Sequence, residues 1–346
     1  MIIEGKLFKE FLSVLKNTTG GGQCGYLRFS DNSISASSGG TTIVIEFPEP
    51  IGFDAIVPIS VLVPLVKEYK EIVSIERVED NLVLMCGRNE ATVGLANHFK
   101  HWQQIQPSND MVAVPEGLFE GLTLGLTAIA KSEKRPQFNG IGIDGKRLMA
   151  SDSQRVFWYE LEAELVPGDD IMLPRELVTL VTGTKLLSNP SGVYFGETYC
   201  SFRFDCDDDV TITVSGSYAN ATFPSNWLDF FPDDCNLHTI TMSSSVIGTL
   251  KRMASMENVG SGSDSSVFTL NEDKMNLQTQ RTEIRVVETV DLDPPLVGDP
   301  ITFSTKASYI LWAFDITNGV FGLSTTSKAV YCESEEKPIR ILVSME

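Results

Sequence analysis

Histidines, cysteines and clustered carboxylates are the side chains of this 346-residue chain that could do chemistry, and their spacing argues against each reaction in turn. His98 and His101 have a separation that suits zinc, but no cysteine or acidic pair of the right kind stands near them, and His238 is the only other histidine. A structural role near the end of a first domain is expected. Asp205, Asp207, Asp208 and Asp209 crowd together as in a calcium loop, yet Val210 takes the glycine position and no glutamate closes the loop. An aspartate-rich hairpin turn is the expectation. Gly20-Gly21-Gly22 lacks the lysine and hydroxyl residue that follow in a phosphate-binding loop, so no ATPase is read there. Cys24, Cys86, Cys200, Cys206, Cys235 and Cys332 are scattered without a Cys-x-x-Cys pair and read as free thiols. No serine, cysteine or carboxylate pair stands beside a histidine in a catalytic pattern. The chain is therefore read as a non-enzyme with no catalytic residues, metal or cofactor.

What remains is binding. The formal charge of −19 excludes a protein that grips nucleic acid with its whole surface, so any DNA role needs local segregation of charge. Apolar residues make up 42% of the chain in short alternating runs, as in a soluble globular protein, and none approaches the roughly 20 residues of a membrane span. The N-terminus, Met-Ile-Ile-Glu-Gly-Lys, shows no basic-then-apolar leader, so a cytoplasmic location without membrane contact is expected. For the same reason the triplets Asn17-Thr18-Thr19 and Asn220-Ala221-Thr222 carry no argument for glycosylation.

The elements that must position a binding surface repeat three times: an apolar helix, short strands, a strand with a second helix directly behind it, then more strands. First helices are expected over Leu7–Lys16, Leu118–Ala130 and Ser244–Met256, and second helices after Asp54–Pro58, Asp170–Pro174 and Asp299–Phe303. Pro64 falls inside the second helix of the first copy, and a break near Val63 is expected there. Polar, proline-containing connectors put the domain boundaries at 1–109, 110–235 and 236–346. The fold class is α+β, antiparallel sheet with paired helices on one face. Thirteen basic residues fall in or beside the six helices against eight acidic ones, about +5, which leaves about −24 for the rest. The helices are the basic part of an acidic protein.

Between Phe138 and Glu160 the chain reads as a hairpin. Asp144-Gly145 supplies the turn, and Ser151-Asp152-Ser153-Gln154-Arg155 interrupts the strands that end in Val156-Phe157-Trp158-Tyr159. Asn139-Gly140 and Ala150-Ser151-Asp152-Ser153-Gln154-Arg155-Val156, with Phe223-Pro224, Phe231-Pro232 and the closing run Ile339–Met345, resemble the bacterial DNA polymerase III β subunit, the β sliding clamp family. The resemblance covers the whole chain in element order. It departs where Ser153 replaces a glycine, Gln154 a histidine and Ser344 a proline, the marks of a divergent, phage-like or mobile-element member.

The resemblance implies three similar clamp domains per chain, sheets outside and helices inside, and two chains joined head to tail in a ring around double-stranded DNA. It implies a processivity factor in DNA replication that tethers a replicative DNA polymerase and is opened by an ATP-dependent clamp loader. A partner-peptide pocket would draw on Phe138, Ser151, Ser153, Gln154, Arg155, Val156, Pro224, Phe230, Ile341, Val343, Ser344 and Met345, with Gln154 and Arg155 at the rim. Lys9, Lys16, Lys67, Lys70, Lys131, Ser132, Lys134, Arg135, Gln137, Arg175, Lys185, Lys251, Arg252 and Lys306 would face DNA through nonspecific phosphate contacts. The alternative is a ring-shaped adaptor or decoy that binds replication proteins without supporting synthesis.

Overall fold

Alternating apolar residues become antiparallel strands along most of the chain, and the helices carry the expected buried stripe. The computed structural model describes residues 1–18, 25–38, 40–96, 105, 108, 110–130, 134–165, 170–187, 189–224, 231, 237–240, 242–257, 265–280, 285–292, 295–296, 299–318, 320–324, 328–334 and 336–345. The first run of elements is β1 (Ile2–Glu4), α1 (Gly5–Thr18), β2 (Tyr26–Ser30), β3 (Ser33–Ser38), β4 (Thr41–Glu46), β5 (Ala55–Pro58), α2 (Ile59–Val66), β6 (Ile72–Val78), β7 (Asn81–Cys86) and β8 (Asn89–Gly94). The second is α3 (Leu118–Leu126), β9 (Gly140–Asp144), β10 (Arg147–Ser151), β11 (Arg155–Glu160), β12 (Ile171–Pro174), α4 (Arg175–Gly183), β13 (Gly192–Phe195), β14 (Tyr199–Asp205) and β15 (Thr211–Ser217). The third is β16 (Leu237–Ile240), α5 (Ser244–Glu257), β17 (Ser266–Leu270), β18 (Lys274–Gln280), β19 (Arg285–Asp291), β20 (Ile301–Thr305), α6 (Ala307–Thr317), β21 (Val320–Ser324), β22 (Ala329–Glu333) and β23 (Ile339–Ser344). In the second run a single bridge between Val112 and Val193 stands where β1 pairs β6 and β16 pairs β21.

Local chemistry explains the elements. In α1, Phe8, Phe11, Leu12 and Leu15 are buried at i, i+3, i+4 and i+7, each worth about 1.5–3 kcal/mol of transfer from water. In β17, Ser266, Phe268 and Leu270 point inward while Val267 and Thr269 alternate outward, and Phe268 stacks on its cross-strand partner Phe303 at 4.9 Å. Gly145 turns the β9–β10 hairpin at φ +56°, as the Asp-Gly dipeptide predicts. The aspartate cluster is likewise a turn, joining β14 to β15 with Asp208 and Asp209 at positive φ.

Two helix expectations are corrected. α2 does not break near Val63: it runs through Pro64, held down by buried Ile59, Leu62 and Val66. The carbonyl that loses its donor belongs to Ser60, which is exposed to water. α3 ends at Leu126, short of Ala130, because the backbone leaves the helix to join the sheet side. The N–H of Ala130 donates to the carbonyls of Phe138 and Ser151 at 3.0 and 3.3 Å.

Packing divides the chain into two compact units, Met1–Phe119 with Leu173–Asn220, and Glu120–Met172 with Ala221–Glu346. The division passes through the second run of elements, because strand pairing fuses it to its neighbours. In the first unit β15 pairs β4 from Thr211 opposite Glu46 to Gly216 opposite Thr41, giving the order β13-β14-β15-β4-β3-β2-β5. In the second unit β11 pairs β23, giving β9-β10-β11-β23-β22-β21-β16, with β12 at the β9 edge. The remaining sheets have four strands each, β1-β6-β7-β8 in the first unit and β19-β18-β17-β20 in the second. These repeat the two halves of the larger sheets, with β8 and β19 left at edges where the other copies are joined.

Candidate partner-binding site

The polar corner between β10 and β11 folds because Asp152 gathers the donors around it. Its Oδ1 accepts from the N–H groups of Gln154 and Arg155 at 3.0 and 2.9 Å, and its Oδ2 accepts from Arg155 Nε and Nη2 at 3.0 and 2.8 Å. The N–H of Ser153 donates to Ser151 Oγ at 3.0 Å, and Ser153 sits at φ +77°, the left-handed region that favours glycine. The glycine of the resembling family is thus explained by backbone geometry.

Pairing of β11 with β23 sorts the sequence-predicted residues onto two faces. Arg155, Phe157 and Tyr159 stand opposite Val343, Ile341 and Ile339 and share one face, against which α6 packs. Ile341 and Val343 are fully buried there, as part of the core. Val156 and Trp158 stand opposite Leu342 and Arg340 on the other face. Met149, Trp158 and Phe223 form a buried apolar cluster on which Phe138, Val156 and Phe231 are packed half-buried. Phe138 meets Phe223 and Phe231 meets Trp158 edge to face, at 6.2 and 5.5 Å. Pro224, half-buried, follows Phe223 directly. Ser344 and Met345 are half-buried, with N–H groups donating to the carbonyls of Gln154 and Lys328 at 2.9 and 2.8 Å.

Arg155 is the main departure from the sequence reading. Its side chain is only 13% exposed, and its guanidinium lies over the rings of Tyr309 and Trp312 at 4.3 and 4.4 Å while paired to Asp152. Trp312 Nε1 donates to Thr127 Oγ1 at 2.8 Å, and the Tyr309 hydroxyl donates to Gln154 Oε1 at 3.0 Å. Arg155 is a clasp between β11 and α6 and not a loose rim donor. Asp152, Thr127, Tyr309 and Trp312 were absent from the predicted site. The i, i+3 spacing of Tyr309 and Trp312 on one helix face was the signal that could have found them.

Of the residues expected to face DNA, Lys16, Lys67, Lys70, Lys134, Arg135 and Lys251 are exposed, and Lys9, Gln137 and Arg175 half-buried. Arg252 is exposed but paired, its Nε donating to Glu288 Oε1 at 2.8 Å. This pairing and a bond from Thr249 hold the Glu288 carboxyl below its usual range. Lys306 lies beside Tyr309, its Nζ 3.4 Å from the hydroxyl. Lys131, Ser132, Phe230, His98, His101, the Gly20–Gly22 run, Cys24, Cys235 and the side chains of Lys185 and His238 lie outside the described residues. Cys86, Cys200 and Cys332 are buried free thiols and Cys206 a half-buried one. Among the described residues no group of three His, Cys, Asp or Glu side chains could hold a metal ion, and no helix is long and apolar enough to cross a membrane.

Comparison of the whole chain with solved structures is decisive for the architecture. A sliding clamp from Bacillus subtilis superposes with a TM-score of 0.81 at 16% identity, covering 100% of this chain and 98% of that one. The chain has the sliding-clamp fold. The β subunit of DNA polymerase III from Thermotoga maritima gives 0.80 at 17% identity, and a Pseudomonas aeruginosa sliding clamp bound to griselimycin gives 0.79 at 16%, each over 100% of this chain and 98% of the other. No protein-family model and no curated protein sequence matches the chain. The sliding-clamp fold is therefore shared at 16% to 17% identity.

Proposed function

We propose that this chain is a DNA sliding clamp, a non-catalytic processivity factor that encircles duplex DNA and tethers a replicative polymerase. The observation that carries the reading is the pair of unmatched edges. β4 joins β15 and β11 joins β23 in equivalent positions, whereas β19 and β8, their counterparts, end separate four-stranded sheets. An exposed strand edge is a template for another strand. Pairing of β19 on one chain with β8 on the next repeats the existing junction head to tail and closes a ring if two rotations complete the circle. In this reading the three repeats 1–109, 110–235 and 236–346 are the clamp domains, and six of them form the ring.

The exposed cations Lys16, Lys67, Lys70, Lys134, Arg135 and Lys251 would then face DNA phosphates without reading sequence, while the acidic remainder of the surface repels stray DNA. The partner-peptide site is the half-buried apolar surface of Phe138, Val156 and Pro224 beside the Ser151–Arg155 corner and Ser344. The griselimycin-bound clamp of the same fold supports ligand binding by this architecture. An ATP-dependent loader would open the ring, in the cytoplasm.

Sedimentation equilibrium tests the assembly: the expected mass is about twice 38.1 kDa, and a monomer at micromolar concentration would overturn the ring. Fluorescence polarisation with a labelled peptide of glutamine, leucine and phenylalanine, the glutamine-plus-bulky-apolar type that the family resemblance implies, tests the site. Val156→Asp is expected to weaken binding at least tenfold with the sedimentation mass unchanged; undiminished affinity would remove Val156 from the site.

A further inference from the structure

Beside the corner, Lys306, Gln154, Tyr309 and the hydroxyl residues Ser265, Ser304, Thr305 and Ser344 line a shallow surface hollow of about 10 Å³, large enough for a water-sized group such as one carboxylate oxygen. We infer that this hollow is a carboxylate subsite, which receives an acidic side chain or a chain-terminal carboxylate of the bound partner peptide. The inference rests on the partner-site reading above and adds a charge preference to it.

Every lining side chain is polar, and none is acidic. The hollow offers an ammonium and several hydroxyls, a donor set that suits an anionic acceptor. Gln154 Oε1 already accepts from the Tyr309 hydroxyl at 3.0 Å, which leaves the amide NH2 of Gln154 as its donor at the lining. Among the described residues no carboxylate lies within ion-pair distance of Lys306, whereas Arg155 next door is paired with Asp152. The nearest buried acid, Glu257, holds the start of α6 by accepting from the N–H groups of Ala307 and Ser308 at 2.6 and 3.1 Å and from Ser266 Oγ at 2.9 Å. Its charge is spent on those donors. Half-burial of Lys306 keeps salt from screening a contact fully.

Two of the lining residues, Gln154 and Ser344, also meet through the backbone. Ser344 supplies a hydroxyl to the lining, and its N–H closes the corner by donating to Gln154 O at 2.9 Å.

The test uses the full chain and labelled peptides of glutamine, leucine and phenylalanine, with glutamate or glutamine added at either end and free-acid or amide C-termini. At least one acidic form is expected to bind about tenfold tighter than its amide counterpart, with a preference that shrinks as salt rises. In Lys306→Met the preference is expected to vanish while the neutral peptides bind as before. Equal binding of all acid and amide pairs, or a preference that survives Lys306→Met, would overturn the subsite and leave the partner site standing. Failure of every peptide to bind would overturn the partner site and the subsite together.

Discussion

Ser153 holds a φ of +77° in a corner where the amide of Ser153 and those of the next two residues are all bonded to side chains of Ser151 and Asp152, so it cannot relax without losing them. A β-branched residue there meets the left-handed penalty directly. Ser153→Val is expected to cost about 1–2 kcal/mol in urea denaturation, and Ser153→Gly to be near neutral because relieved strain offsets the entropy of glycine. Arg155 beside it is held by both charge and ring faces, which separates its two contributions experimentally. Arg155→Ala is expected to destabilise by about 3 kcal/mol, leaving Asp152 half-buried and unpaired, whereas Arg155→Lys keeps the charge and loses the fork and the stacking, for about 1–2 kcal/mol. Equal losses would show that charge, not stacking, holds the clasp. Glu288 titrates below its ordinary value of 4.5 because Arg252 and Thr249 bond its ionised form. Its contribution is therefore complete above the unfolded value and fades as pH falls through the lowered folded one. Acid denaturation of Glu288→Gln beside the parent chain should show a gap at neutral pH that closes in acid.

Elements were more legible in the sequence than the contacts between them. The i, i+3, i+4 stripe of α1 and the Asp-Gly turn before β10 are local patterns, and both hold in the structure. α3 was overestimated because Thr127 to Ala130 continue an apolar pattern, while Thr127 and Ala128 close a tighter turn onto Leu124 and Gly125 and the N–H of Ala130 bonds toward the sheet side. Gly121 shows the same tertiary demand: a Cβ there would lie 2.5 Å from Leu148 Cδ1, so its absence lets α3 approach β10. Pro64 was expected to break α2, but the carbonyl that lost its donor belongs to an exposed residue, Ser60, and the buried face kept the helix. The Arg155 clasp depends on β11 and α6, about 150 residues apart in sequence, meeting across a strand junction. No periodicity could report that. The start of α6 depends on Glu257, from the end of α5, in the same way. Glu257→Ala is expected to cost about 3 kcal/mol in denaturation, by leaving the first two N–H groups of α6 and Ser266 without their acceptor, and Glu257→Gln less.

At the scale of the molecule, threefold repetition of elements was readable in the sequence, and the sliding-clamp fold accounts for it. The compact units were not readable, because they are set by which strand edges pair: β15 with β4 and β11 with β23 tie the middle repeat to both neighbours. The same pairings single out β8 and β19 as the edges that a second chain would complete. The proposed ring makes a claim about topology that contact affinity cannot imitate. The chain can be incubated with linear duplex DNA, both ends then blocked with bound streptavidin, and weak contacts stripped with concentrated salt. A closed ring is expected to stay on the blocked duplex and to leave it when a restriction enzyme cuts between the blocks. Loss of the protein in salt despite intact blocks, or retention after cleavage, would contradict encirclement.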